Sequence, residues 1–83
     1  MRVKQVKESD NFKREYSKID NSIKEKVDKI LLKIIENPDI GKPMRFNRKG
    51  TREVYISPFR LSYAYYPHEE ILELLDLYHK DNQ

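Results

Sequence analysis

A chain of 83 residues with no cysteine makes one small domain, residues 1–83, whose core is marginal by size alone; it excludes a disulfide framework and a thiolate metal site. Hydrophobic and charged residues each make up 37%, the balance of a folded chain rather than a disordered one. No apolar run approaches the roughly 18 to 20 residues that cross a bilayer. The N-terminal Met-Arg-Val-Lys-Gln-Val-Lys alternates polar with apolar residues and lacks the apolar stretch of a signal peptide, so a cytoplasmic protein without a membrane partner is expected.

Val3 and Val6 among basic neighbours predict a weak first strand. Ser9-Asp10 starts a helix in which Phe12, Tyr16 and Ile19 recur at helical spacing. A second helix starts at Asp20 or Ser22, where Ser22 and Glu25 have capping-box spacing. Ile23, Val27, Ile30, Leu31, Ile34 and Ile35 then form a buried stripe opposite a lysine-rich face. Asn37-Pro38 ends that helix, because a residue before proline is pushed out of the α region. The two helices are expected at about residues 9–19 and 21–36.

Pro43 borders a short edge strand expected at Met44 to Asn47. After Gly50 the period changes to two, with Val54 and Ile56 on one face and Glu53 and Tyr55 on the other. Ser57-Pro58 turns the chain into a strand that alternates Phe59, Leu61, Tyr63 and Tyr65 with Arg60, Ser62, Ala64 and Tyr66. Pro67 to Glu70 turns it again into the apolar run Ile71 to Tyr78. Two helices followed by a three-strand meander indicate an α+β fold, the helices packed on one face of a small antiparallel sheet. Ile23, Val27, Ile30, Leu31, Ile34, Val54, Leu61, Tyr63 and either Leu74 or Leu75 are the expected core. Arg60 and Ser62 then face away from the helices.

Net charge is only +3 but unevenly spread. Residues 38–62 hold Lys42, Arg45, Arg48, Lys49, Arg52 and Arg60 against Asp39 and Glu53, whereas residues 63–83 hold Lys80 against five acidic side chains. An anionic partner fits this middle segment, as does a solvated basic loop.

The paired helices ending in "ENPDIGKPMR", the stretch "RKGTREVYISPFRLSY" and a last strand ending in "LYHK" together resemble the RelE/ParE superfamily of toxins from type II toxin–antitoxin pairs, nearer its RelE- and YoeB-like mRNA interferases. The resemblance covers nearly the whole chain. It implies a RelE-like fold, related in architecture to microbial ribonucleases, and a RelB-like antitoxin as partner. It also implies metal-independent cleavage of mRNA on the ribosome by the RNA's own 2′-hydroxyl, with no cofactor. Such a reaction requires an acceptor for the 2′ proton, cations on the phosphorane-like transition state and an acid for the 5′ oxygen.

By that resemblance Arg60 matches the strand arginine on the scissile phosphate, and its forked, permanent charge suits the task. His79 matches the catalytic histidine of the YoeB-like branch. Arg48, Lys49 and Arg52 would hold flanking phosphates, and Lys80 stands where that branch has a terminal tyrosine. RelE proper carries lysines where Glu53 and Tyr55 stand, and the YoeB-like glutamate base aligns near Lys42. Glu53 is a further carboxylate able to serve as base or simply to pair with Arg60. Tyr66 or Tyr78 has the chemistry to stack on a base. ParE-like members keep the fold and poison DNA gyrase, so a non-catalytic binding protein or an antitoxin-binding relic is the other reading. No histidine or carboxylate pair has metal-ligand spacing.

Overall fold

The computed structural model describes residues 2–82 and consists of two capped helices laid against one five-stranded sheet. In chain order these are β1 (Gln5–Glu8), α1 (Asp10–Lys18), α2 (Asn21–Glu36), β2 (Lys42–Pro43), β3 (Arg52–Ile56), β4 (Phe59–Tyr66) and β5 (Ile71–His79). The sheet runs β1-β5-β4-β3-β2. Its pairings are antiparallel except at one edge, where β1 lies parallel to β5. That parallel edge strand is not part of the expected meander; the connection from β1 to β5 is long enough for parallel pairing because it runs through both helices and the other three strands. Among the described residues no helix is long and apolar enough to cross a membrane.

Both helices start on side chains that satisfy otherwise orphaned backbone N–H groups. The Ser9 hydroxyl oxygen accepts from the Phe12 N–H at 3.0 Å. The Asp20 carboxylate accepts from the Ile23 N–H at 3.0 Å and from the Ser22 hydroxyl at 2.6 Å. Asp20 is therefore the cap of α2, and Ser22 serves it. These bonds, the one from Ser22 foremost, hold the Asp20 carboxyl below its ordinary range. Asn37 closes α2 as expected, and Pro38 is fully buried behind it.

Phe12, Val27 and Ile34 bring the helices onto Ile56, Leu61, Tyr63, Leu72, Leu74 and Leu77 of the sheet. Ile23, Ile30, Leu31 and Val54 are half-buried against that core rather than inside it, except that Val54 sits on the sheet itself. Val3 enters the core, while Val6 stays exposed.

Two expectations for the edges change. The β2–β3 pairing ends at Pro43↔Arg52, so residues 44–51 form the hairpin connection and Met44 to Asn47 is no strand. Within it Phe46–Arg48 makes one 3-10 turn, and Gly50 takes φ 96°, which a side chain would resist. The second change is a bulge in β5. Ser62 pairs with Asp76 and Tyr63 with Leu74, leaving Leu75 without a counterpart. The start of α1 holds this kink: the Ser9 N–H donates to the Leu74 carbonyl at 2.9 Å and its hydroxyl to the Leu75 carbonyl at 2.6 Å.

Beyond the bulge the alternation is inverted. Leu77 joins Leu72 and Leu74 in the core, Tyr78 is turned to the helix-free face opposite Arg60, and His79 is turned toward the helices opposite Phe59.

Tyr63 ties the α2–β2 connection to the sheet. Its hydroxyl donates to the Pro38 carbonyl at 2.7 Å and accepts from the Gly41 N–H at 2.9 Å, all within the interior. Gly41 has no room for a side chain, since a Cβ there would lie 2.6 Å from that hydroxyl. Tyr63→Phe leaves a buried donor and a buried acceptor unsatisfied, at about 1 to 3 kcal/mol for such a group. Urea unfolding of the variant is expected to show that loss in its midpoint with an unchanged slope.

Candidate functional site

The helix-free face of the sheet carries a buried carboxylate. Strand alternation puts Glu53, Tyr55, Arg60, Ser62, Asp76 and Tyr78 there, and register makes neighbours of Lys42↔Glu53↔Ser62↔Asp76 and of Tyr55↔Arg60↔Tyr78. Glu53 is only 8% exposed, the one charged residue so buried among the described residues. A charged group taken out of water must be compensated, and three side chains converge to do it. Arg60 donates to Glu53 Oε1 at 3.3 Å, Arg48 lies 3.5 Å from Oε2, and the Tyr78 hydroxyl donates to Oε2.

Burial, and after it the bond to Glu53, raises the Tyr78 hydroxyl above its ordinary 10.0, with Arg48 opposing. Tyr78 thus stays protonated as a donor at neutral pH. Contact with that hydroxyl in turn raises Arg48 above its ordinary value.

Arg60 has a second feature. Its Nε is buried without a hydrogen-bond partner among the described residues, and its guanidinium carbon sits 5.9 Å from the Tyr55 ring centroid. Arg60 lines a concavity of about 480 Å3 together with Lys42, Pro43, Met44, Arg45, Phe46 and Glu53. On the other side of Glu53, Arg48 and Tyr78 line a smaller hollow of about 240 Å3 with Asn47, Ser62 and Asp76. Lys42, Arg45 and Lys49 form no ion pair among the described residues, which leaves positive charge around a neutralised floor. The arrangement can hold an anion over Arg60 while a carboxylate and a hydroxyl stand beside it.

The sequence-predicted residues divide between two faces. Arg60 and Arg48 share the cluster, and Lys49 is exposed in the loop beside it. Arg52 pairs in register with Tyr63 and so points to the other face. There it donates to the carbonyls of Asp39 at 3.0 Å and Gly41 at 2.7 Å, clamping the α2–β2 connection instead of reaching a ligand. His79 is not with Arg60 either: its ring meets Phe59 edge-on at 5.5 Å, and its Nδ1 accepts from the Asp81 N–H at 3.2 Å. Lys80 opens the closing 3-10 turn, its N–H donating to the Pro58 carbonyl at 3.0 Å.

The bulge is the physical reason for the exchange of His79 by Tyr78. Counted without it from Leu72 and Leu74, His79 falls on the face of Arg60 and Tyr78 on the core face. The spacing of Leu72, Leu74 and Leu77, two and then three, carried the signal.

The tyrosines give the site and core a common alkaline limit. Burial is the first cause that raises both Tyr63 and Tyr78 above 10.0. The folded chain therefore holds these protons more tightly than the unfolded one. Their contribution is complete below about pH 10 and is lost as pH rises through the folded values. Denaturant midpoints are expected to fall above about pH 10, less steeply in Tyr78→Phe.

A two-helix, five-strand α+β fold with a basic concavity on the uncovered sheet face defines the class, and comparison with known proteins gives the family. The sequence matches the family described as the ParE toxin of type II toxin–antitoxin system, parDE, over residues 6–83, and the chain belongs to it. Among curated proteins none matches significantly in sequence. Solved structures show the same fold. The Mycobacterium tuberculosis RelBE2 toxin–antitoxin complex aligns with TM-score 0.82 and 22% identity, over 92% of this chain and 96% of that one. The YoeB/ParE toxin from Agrobacterium tumefaciens aligns with TM-score 0.83 and 15% identity, over 92% and 98%. The intact E. coli RelBE complex gives 0.77 and 16%, over 89% and 93%.

Proposed function

We propose that this toxin is a metal-independent endoribonuclease that cleaves mRNA on the ribosome, and that a RelB-like antitoxin silences it. The observation that carries the reading is the Glu53 carboxylate buried at the floor of a basic concavity, with Arg60, Arg48 and Tyr78 converging on it. A buried carboxylate on which several side chains converge in a cleft is a candidate functional group.

An RNA phosphate entering the concavity competes with Glu53 for the fork of Arg60. As Arg60 turns to the phosphate, Oε1 of Glu53 is released to accept the 2′-hydroxyl proton. The 2′ oxygen then bonds to phosphorus, and the bond to the 5′ oxygen breaks, leaving a 2′,3′-cyclic phosphate. Arg60 and Arg48 carry the charge gathered on the phosphorane oxygens. Tyr78, held protonated and bonded to Glu53, would give a proton to the departing 5′ oxygen. Lys42, Arg45 and Lys49 would hold flanking phosphates and supply affinity rather than chemistry.

The antitoxin assignment rests on family membership and on fold relatives that are themselves toxin–antitoxin complexes. A second reading has an observation of its own. Both oxygens of Glu53 are occupied, which suits a rigid binding surface and a non-catalytic, gyrase-poisoning toxin. The experiment is induction of the toxin with pulse labelling, followed by mapping of mRNA ends in a translating extract. Translation stopping first, with new 5′ ends, supports the nuclease. DNA replication stopping first, with intact mRNA, supports the poison.

A further inference from the structure

Phe46 is 91% exposed, more than any other large hydrophobic residue described. A single exposed apolar side chain is ordinary; this one is also held in a costly conformation. Its φ is 59°, in the left-handed region that side chains other than those of asparagine and aspartate avoid. The loop that imposes this is well tied. The Arg48 N–H donates to the Arg45 carbonyl at 3.2 Å, the Lys49 N–H to the Phe46 carbonyl at 3.0 Å, and the Thr51 N–H and hydroxyl to the Arg48 carbonyl at 3.1 and 2.7 Å. Strain that the surroundings enforce is a pointer to function when it occurs beside a site. Phe46 does lie beside one, lining the same concavity as Arg60, with Arg45 before it and Arg48 and Lys49 after it.

We infer that Phe46 is a stacking platform for a base of the single-stranded RNA whose phosphate lies on Arg60, and so positions the strand for cleavage. The inference rests on the RNA reading of this site. An exposed aromatic face among cations is what unpaired bases take, because every base has a π-face and every linkage a negative charge. The ring contributes no acid or base; it orients. An adjacent nucleotide stacked at Phe46 fixes which phosphodiester lies over Arg60 and Glu53. A strand lacking that base then loses register.

The chain has no tryptophan, so Phe46→Trp installs one indole reporter at the position of the ring. The full-length variant is titrated with a mixed-sequence 2′-O-methyl oligoribonucleotide, which lacks the free 2′-hydroxyl and is not cleaved, and with the same strand made abasic. Quenching by the first and not by the second is expected. Phe46→Ala and Phe46→Leu should both weaken binding of the base-bearing strand about tenfold and leave the abasic strand unchanged. Leucine keeps the apolarity and removes the π-face. Phe46→Gly should weaken binding equally while its thermal midpoint holds or rises, because glycine accepts the positive φ, a result a purely structural residue would not give.

If the base-bearing strand binds and Arg60→Ala weakens it, but the indole is not quenched and Phe46→Ala binds as tightly as wild type, the platform is overturned and the RNA reading stands. Should the wild type bind neither strand, free or presented on a programmed ribosome, the RNA reading fails and takes the platform with it. Indole emission that responds to the antitoxin and not to RNA would assign the ring to a protein interface and contradict the inference.

Discussion

Arg60→Ala is expected to slow single-turnover cleavage of mRNA on programmed ribosomes by about 10²-fold or more, the usual consequence of removing a charged donor from a transition state. The fold should survive. Arg60 stands on the helix-free face with its side chain 37% exposed, and Glu53 keeps Arg48 and Tyr78 when Arg60 is gone. Lys would not replace it well, because one ammonium cannot reproduce two parallel bonds to a phosphate. Lys49→Ala gives the contrast: it lies in the loop and should weaken binding, most of all at low salt where its charge is least screened, with the cleavage step unchanged. A wild-type rate for Arg60→Ala, measured at saturating toxin, would remove Arg60 from the chemistry.

Ile34→Ala is expected to cost about 2 to 5 kcal/mol, the range for deleting a buried aliphatic side chain and leaving a cavity. That is a large share of the about 5 to 15 kcal/mol a whole domain possesses. Ile34 is fully buried where α2 meets the sheet, as is Val27 two turns earlier. Ile30 and Leu31 occupy the margins of the same stripe and are only partly buried, so their truncation should cost less. Denaturant curves of Ile34→Ala and Ile30→Ala, taken together, check the order. Equal losses would mean that α2 docks with a different rotation.

The helical half was legible in the sequence because its information is local. The apolar positions of α2 repeat at helical spacing, Asp20 or Ser22 marks its start, and the proline after Asn37 marks its end. The face of Arg60 was equally legible, since β4 alternates without interruption from Phe59 to Tyr66. What depended on distant contacts was not. Leu75 is extruded from its strand where Ser9, 66 residues away, bonds its carbonyl, and that one event exchanges Tyr78 for His79 at the candidate site. Arg52 belongs to a basic cluster by composition, yet register with Tyr63 turns it to the opposite face. Glu53 was visible as a candidate base without a place; only the pairing of three strands puts it between two arginines and a tyrosine. The positive φ of Phe46 had no sequence signal at all, because phenylalanine is among the residues that avoid it.

Glu53→Gln removes the proposed base and keeps its shape. The amide has the size of the carboxylate and can still accept from Arg60 or Tyr78, but it cannot take the 2′-hydroxyl proton. Single-turnover cleavage at saturating toxin, measured beside the wild type with a thermal melt of each protein, separates chemistry from folding. The rate is expected to be lower by about 10²-fold or more in a protein that still melts cooperatively. Cleavage by folded Glu53→Gln at the wild-type rate would show that Glu53 is not the base.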